Sequence, residues 1–144
     1  MKRIHKNKQS QKVIIGVTAS DAHAVANRLL AYKLKELGYS VINLGPCTTV
    51  EEFAQAAQAN PSALAILIGS YNGHAYEDLR DLVLAKKQRR IICPVILGGN
   101  LSVGSQKEAS DYTVLFDIGV DYILSSLDEA INKLAELNMA GMVA

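Results

Sequence analysis

The sequence predicts an α/β fold built on a doubly wound, five-stranded parallel sheet with helices on both faces, and three observations lead there. Short, near-continuous apolar runs such as Val13 to Ala19, Leu64 to Ile68 and Ile91 to Leu97 have the pattern of strands covered on both sides. Stretches with the 3.6-residue period of amphipathic helices separate them. Glycine, proline and capping residues punctuate the joints, at Gly38, Gly45-Pro46, Thr49 and Asn60-Pro61.

In order, residues 1–12 carry Lys2, Arg3, Lys6, Lys8 and Lys12 without an acid, the composition of a flexible, solvated basic tail. The domain proper is expected over 13–144, a length that buries a core without staples. Val13 to Ala19 is the first strand. The helix after it places Val25, Leu29, Leu30, Leu34 and Leu37 on one side and stops at Gly38. Ser40 to Leu44 is a second strand, and Thr49-Val50-Glu51-Glu52 is a capping box opening an alanine-rich helix that ends at Asn60-Pro61. Leu64 to Ile68 is the third strand, followed by a helix from Tyr76 to Lys87 with Leu79, Leu82 and Val83 inward. Ile91 to Leu97 is the fourth, where Pro94 suits an outer position. A weaker helix spans Ala109 to Ile118, and Asp121 to Leu124 is the fifth strand. Ser126 to Glu129 caps a last helix with Leu127, Ala130, Ile131, Leu134 and Leu137 as its apolar positions.

Strands alternating with helices imply right-handed crossovers, and for five strands the flavodoxin-like (Rossmann-like) order 2-1-3-4-5. Ligands bind such sheets beyond the carboxyl ends of the strands, at the switch point between the first and third. The loops with unusual residues follow the first, third and fourth strands, so they converge on one rim.

Composition narrows what that rim serves. Five of the fifteen Lys and Arg lie in the first twelve residues, leaving ten against all fourteen Asp and Glu, which is no nucleic-acid face. No apolar run is long enough to span a membrane and no secretory signal is visible, so a cytoplasmic protein is expected. Cys47 and Cys93 have no metal or redox spacing and read as buried apolar residues. A dinucleotide fingerprint and a phosphate loop are absent. A receiver domain's acidic cluster and late lysine are missing, and an aspartate in the first loop would repel a flavodoxin-type phosphate.

That first loop carries Ser20-Asp21-Ala22-His23. A histidine two residues beyond an aspartate can be a metal ligand whose second ring nitrogen is held by the carboxylate. On its own the pair reads first as a loop histidine beside a helix-capping aspartate. His74 reads first as an exposed loop residue.

In its motifs the chain resembles the small, cobalamin-binding subunit of glutamate mutase (methylaspartate mutase), and more broadly the cobalamin domains of other mutases and of methionine synthase. The family signature is Asp-x-His-x-x-Gly, then Ser-x-Leu, then Gly-Gly. Its counterparts here are Asp21 to Ala26, Gly69-Ser70-Tyr71 and Gly98-Gly99, within a similarity running from about Val13 to Leu134. The resemblance implies adenosylcobalamin as cofactor, with His23 as the cobalt's lower axial ligand and Asp21 behind it. It implies a cofactor-binding set of Ser20, Asp21, Ala22, His23, Ala24, Val25, Gly69, Ser70, Tyr71, Gly73, Gly98, Gly99, Asn100, Leu101, Ser102, Val103 and Gly104. It also implies a separate large barrel-type subunit, with which the enzyme would rearrange glutamate to 3-methylaspartate by radical chemistry; neither nucleic acid nor membrane is an expected partner. Three positions depart from the pattern: Ala26 replaces a glycine, Gly69 lacks the hydroxyl, and Tyr71 replaces leucine. A corrinoid methyl carrier and a degenerate binding or regulatory module are the alternatives.

Overall fold

A computed structural model describes residues 11–99 and 112–143. Its elements alternate as β1 (Lys12–Val17), α1 (Val25–Glu36), β2 (Ser40–Asn43), α2 (Val50–Ala59), β3 (Ala65–Gly69), α3 (Ala75–Leu79), α4 (Leu82–Lys87), β4 (Val95–Gly98), α5 (Tyr112–Asp117), β5 (Tyr122–Ile123) and α6 (Leu127–Val143). The strands form one sheet in the order β2-β1-β3-β4-β5, every neighbouring pair parallel, as expected. The basic residues at 1–10, the segment 100–111 with Asn100 to Gly104, and the first turn of the helix expected from Ala109 lie outside the described residues.

Alternation along the strands sends side chains to two cores. Ile14, Ile66, Ile68, Val95 and Leu97 face α2 to α5, where Phe53, Leu79, Leu82 and Leu115 close a continuous apolar cluster. Val13, Ile15, Ala65, Leu67 and Ile96 face α1 and α6, meeting Ala31, Leu34 and Leu134. The capping box of α2 is formed: Thr49 Oγ1 accepts from Glu52 N at 3.1 Å and Thr49 N donates to Glu52 Oε1 at 2.9 Å. Such a cap stabilises a helix by about 1 kcal/mol. Ser126 Oγ likewise accepts from Glu129 N at 3.1 Å at the start of α6.

Several expectations are corrected. On α1 the buried positions are Asn27, Ala31 and Leu34, while Val25 is 65 % and Leu29 60 % exposed, because the helix's apolar arc is wider than its contact with the sheet. Leu37 is exposed too, at the helix end. The single helix expected from Tyr76 to Lys87 is two short ones, with Ala75, Leu79, Leu82 and Ala85 inward. Val83, one step round from Leu82, faces outward. β4 is not an outer strand, since it pairs with both β3 and β5. Pro94 precedes the ladder, its carbonyl accepting from Ile66 N at 2.9 Å, so its missing N–H costs no strand pairing. Cys47 is exposed on a turn at φ 56°, and Cys93 is only partly buried. Among the described residues, no helix is long and apolar enough to cross a membrane.

Candidate cofactor site

Beyond β1 the chain leaves the sheet through Thr18, whose N–H donates to the Gly69 carbonyl at 3.0 Å, and turns so that Asp21 N donates to Thr18 O. The turn buries Asp21, which is 1 % exposed. One carboxylate oxygen accepts from His23 N at 3.0 Å and from His23 Nδ1 at 2.5 Å. The other accepts from Tyr71 N at 2.5 Å. The main-chain carbonyl of Asp21 accepts from Cys47 N at 3.0 Å, so loops following three adjacent strands meet on one residue. Asp21 does not cap α1, whose N-cap is Ala24 without a side-chain bond.

Burial pushes the Asp21 carboxyl up, but the His23 ring together with the His23 and Tyr71 amides outweighs it and holds the group below its ordinary value. An ionised Asp21 needs a proton on His23 Nδ1, which leaves Nε2 with a free lone pair on a side chain 63 % exposed. This is a Lewis base aimed outward and locked from behind.

Ser20 Oγ donates to Asp78 at 2.7 Å, and Asn72 Nδ2 donates to Ser20 O and Oγ at 3.1 and 3.0 Å. These bonds tie the histidine loop to the loop after β3. Beside it opens a cavity of about 350 Å³ between α1 and α6, over the carboxyl ends of β1, β3 and β4. Gly16, Leu67, Gly69, Ile96 and Gly98 belong to its floor, Ala26, Leu29 and Leu30 to one wall, and Leu124 to Leu127 with Ala130 to the other. At Gly99 (φ +113°) a Cβ would lie 2.2 Å from the Ser70 carbonyl, so only glycine lets the β4 and β3 loops approach this closely. Tyr71 links the two parts of the site. Its ring lines the cavity, and its centroid lies 5.7 Å from that of His23.

Of the expected residues, Asp21, His23, Gly69, Tyr71, Gly98 and Gly99 are thus brought together. Ser20 braces the loop; Ala22 and Val25 are exposed and Ala24 half-buried. Ser70 is not among the cavity-lining residues: it is fully buried, its Oγ has no hydrogen-bond partner among the described residues, and its N–H joins Gly98 O at 2.9 Å. Gly73 serves a turn at φ +83° and lies outside the cavity. His74 is exposed at the start of α3. Sequence reasoning missed Asn27, Leu29 and Leu30 as wall residues, and the entire β5–α6 contribution. The small pair Ser125-Ser126 between a strand and a capped helix was the available signal for the latter.

A family model described as B12 binding domain matches residues 11–131. The glutamate mutase sigma subunit of Halobacterium salinarum is 37 % identical over 114 residues, covering 79 % of this chain and 76 % of that protein. Glutamate mutase sigma subunit 1 of Haloarcula marismortui is 35 % identical over 127 residues, covering 86 % and 83 %. The chain belongs to the glutamate mutase sigma subunit family. A solved cobalamin-binding protein from Desulfitobacterium hafniense superposes with a TM-score of 0.73 at 16 % identity. That match covers 95 % of this chain but only 63 % of the solved one, and supports the fold of this sigma-family member rather than its activity.

Proposed function

We propose that this chain is the adenosylcobalamin-binding small subunit of a glutamate mutase-type isomerase, working with a separate large barrel-type subunit that holds the substrate. The observation that carries this is the buried Asp21 locking an outward-facing imidazole beside an apolar, glycine-floored slot. A lone imidazole supplies one donor and suits a metal that arrives with its remaining donors, as cobalt does in a corrin. His23 Nε2 would ligate the cobalt, and Asp21 would fix its tautomer and raise its basicity. The slot between α1 and α6 would take the nucleotide tail, with Gly98 and Gly99 admitting it close to the backbone. Ser20, Ala22, Ala24 and Val25 would border the corrin. Bound adenosylcobalamin supplies the radical chemistry of the glutamate to 3-methylaspartate rearrangement. This chain's part is to bind, orient and ligate, leaving the upper face to the partner.

The fit is physical. Aliphatic walls and a cavity of this size match small-molecule sites. A visible-absorption titration with adenosylcobalamin tests the proposal. Saturable binding with a base-off, histidine-on spectrum that His23→Ala loses is the expected result. A folded wild-type chain that gives no spectral change well above micromolar cobalamin overturns it.

A further inference from the structure

We infer that Tyr71, lying over Gly69, is the residue with which this chain reads the base at the end of its ligand's tail: a flat aromatic nitrogen heterocycle that accepts a hydrogen bond from the phenol. The inference rests on the cobalamin reading above and adds the determinant of lower-base specificity. It starts from the glycine. A Cβ built on Gly69 would lie 2.9 Å from both Oη and Cε2 of Tyr71, so the phenol fills the volume that a side chain at 69 would otherwise occupy. Two departures from the family pattern are therefore one compensated change, with bulk and a hydroxyl moved from position 69 to position 71.

The rest of the slot makes this hydroxyl matter. Leu29, Leu30 and Leu67 present hydrocarbon, suited to the faces of an aromatic ring but unable to pair its nitrogen. Asn72, next to Tyr71 in sequence, is already committed: Nδ2 to Ser20, and Oδ1 to the His74 N–H at 3.1 Å. On the α1 wall the amide of Asn27, 4 % exposed, also lines the cavity, and on the opposite wall the hydroxyls of Ser125 and Ser126 are engaged with Glu129. Tyr71 also donates its main-chain N–H to Asp21 and packs its ring near His23, which couples the tail site to the axial histidine.

The test compares two ligands that share the corrin ring and differ in the tail: cobalamin, and cobinamide, which has no nucleotide base. Each is titrated against wild type, Tyr71→Phe, Gly69→Ser and the double variant Gly69→Ser/Tyr71→Leu, with circular dichroism confirming that each is folded. Tyr71→Phe is expected to weaken cobalamin about twofold to tenfold, one hydrogen bond's worth, and to leave cobinamide unchanged. Gly69→Ser alone weakens cobalamin further by colliding with the phenol, and the double variant recovers most of that loss. Equal loss of both ligands in Tyr71→Phe, or no loss of either, overturns the assignment. So does wild type binding cobalamin no better than cobinamide, since the base is then not read. A wild type that binds neither overturns the cobalamin reading itself.

Discussion

Replacing Asp21 by Asn exchanges one carboxylate oxygen for an amide nitrogen and removes an acceptor that organises the site. The carboxylate accepts three hydrogen bonds from one buried position, two from His23 and one from Tyr71 N. An amide retains one acceptor oxygen. If that oxygen stays on Tyr71 N, the new NH₂ faces two His23 donors; the ring must then accept at Nδ1, placing its proton on Nε2, while the His23 main-chain N–H loses its partner. An orphaned donor costs about 1–3 kcal/mol, which for a chain of this size lowers the melting temperature by roughly 3–10 °C. The effect depends on pH in a fixed direction. Asp21 is held below its ordinary 3.8, so its ionised contribution is complete above that value and disappears as pH falls through the lower folded value. Urea denaturation of both proteins should therefore show the full gap at pH 7 and a closing gap below about pH 4. The same substitution should weaken cobalamin binding about 10-fold to 100-fold, the usual effect of losing the group behind a metal-bound histidine. Asp21→Asn matching wild type within about 0.5 kcal/mol from pH 4 to 8 would refute the role assigned to the carboxylate.

Two further outcomes follow from the loops around it. Gly99→Ala should destabilise by about 3 kcal/mol, combining a positive-φ alanine with a Cβ placed 2.2 Å from Ser70 O. Gly98→Ala, whose Cβ would meet Leu124 O at 3.4 Å, should cost under about 1 kcal/mol; equal effects in chemical denaturation would contradict the geometry. At pH 8 the exposed Cys47 should react rapidly with a disulfide reagent, while Cys93, pushed to about 11 by burial, should label slowly. Peptide mass spectrometry showing Cys93 modified first would refute that order.

The fold was legible because parallel strands covered on both faces announce themselves as uninterrupted apolar runs, and the crossover rule then leaves few topologies. The Asp21 and His23 pair was legible because two chemically committed side chains sit two residues apart. The slot was not. Leu29, Leu30 and Leu127 are aliphatic, and an aliphatic residue lining a cavity has the same sequence signature as one packed in a core. The start of β4 was misjudged for a related reason: Ile91 is 2 % exposed yet precedes the ladder, so the buried run outlasts the strand. Cys47 was misplaced because burial statistics for cysteine carry no knowledge of a tight turn after Gly45-Pro46. The meaning of Gly69 and Tyr71 as a pair depends on a distance that no pattern of residue types encodes.

The two helical layers differ in completeness. Among the described residues, α2 to α5 close over the sheet, whereas α1 and α6 leave a lined gap above β1, β3 and β4. On the function proposed above, a bound cofactor would complete that layer, and folding and loading would draw on the same surface. Each tenfold rise of an occupying ligand beyond its Kd adds about 1.4 kcal/mol to the folded state. On that reading the resistance of the chain to unfolding would double as a gauge of ligand supply, with the empty form the first to be lost when supply falls.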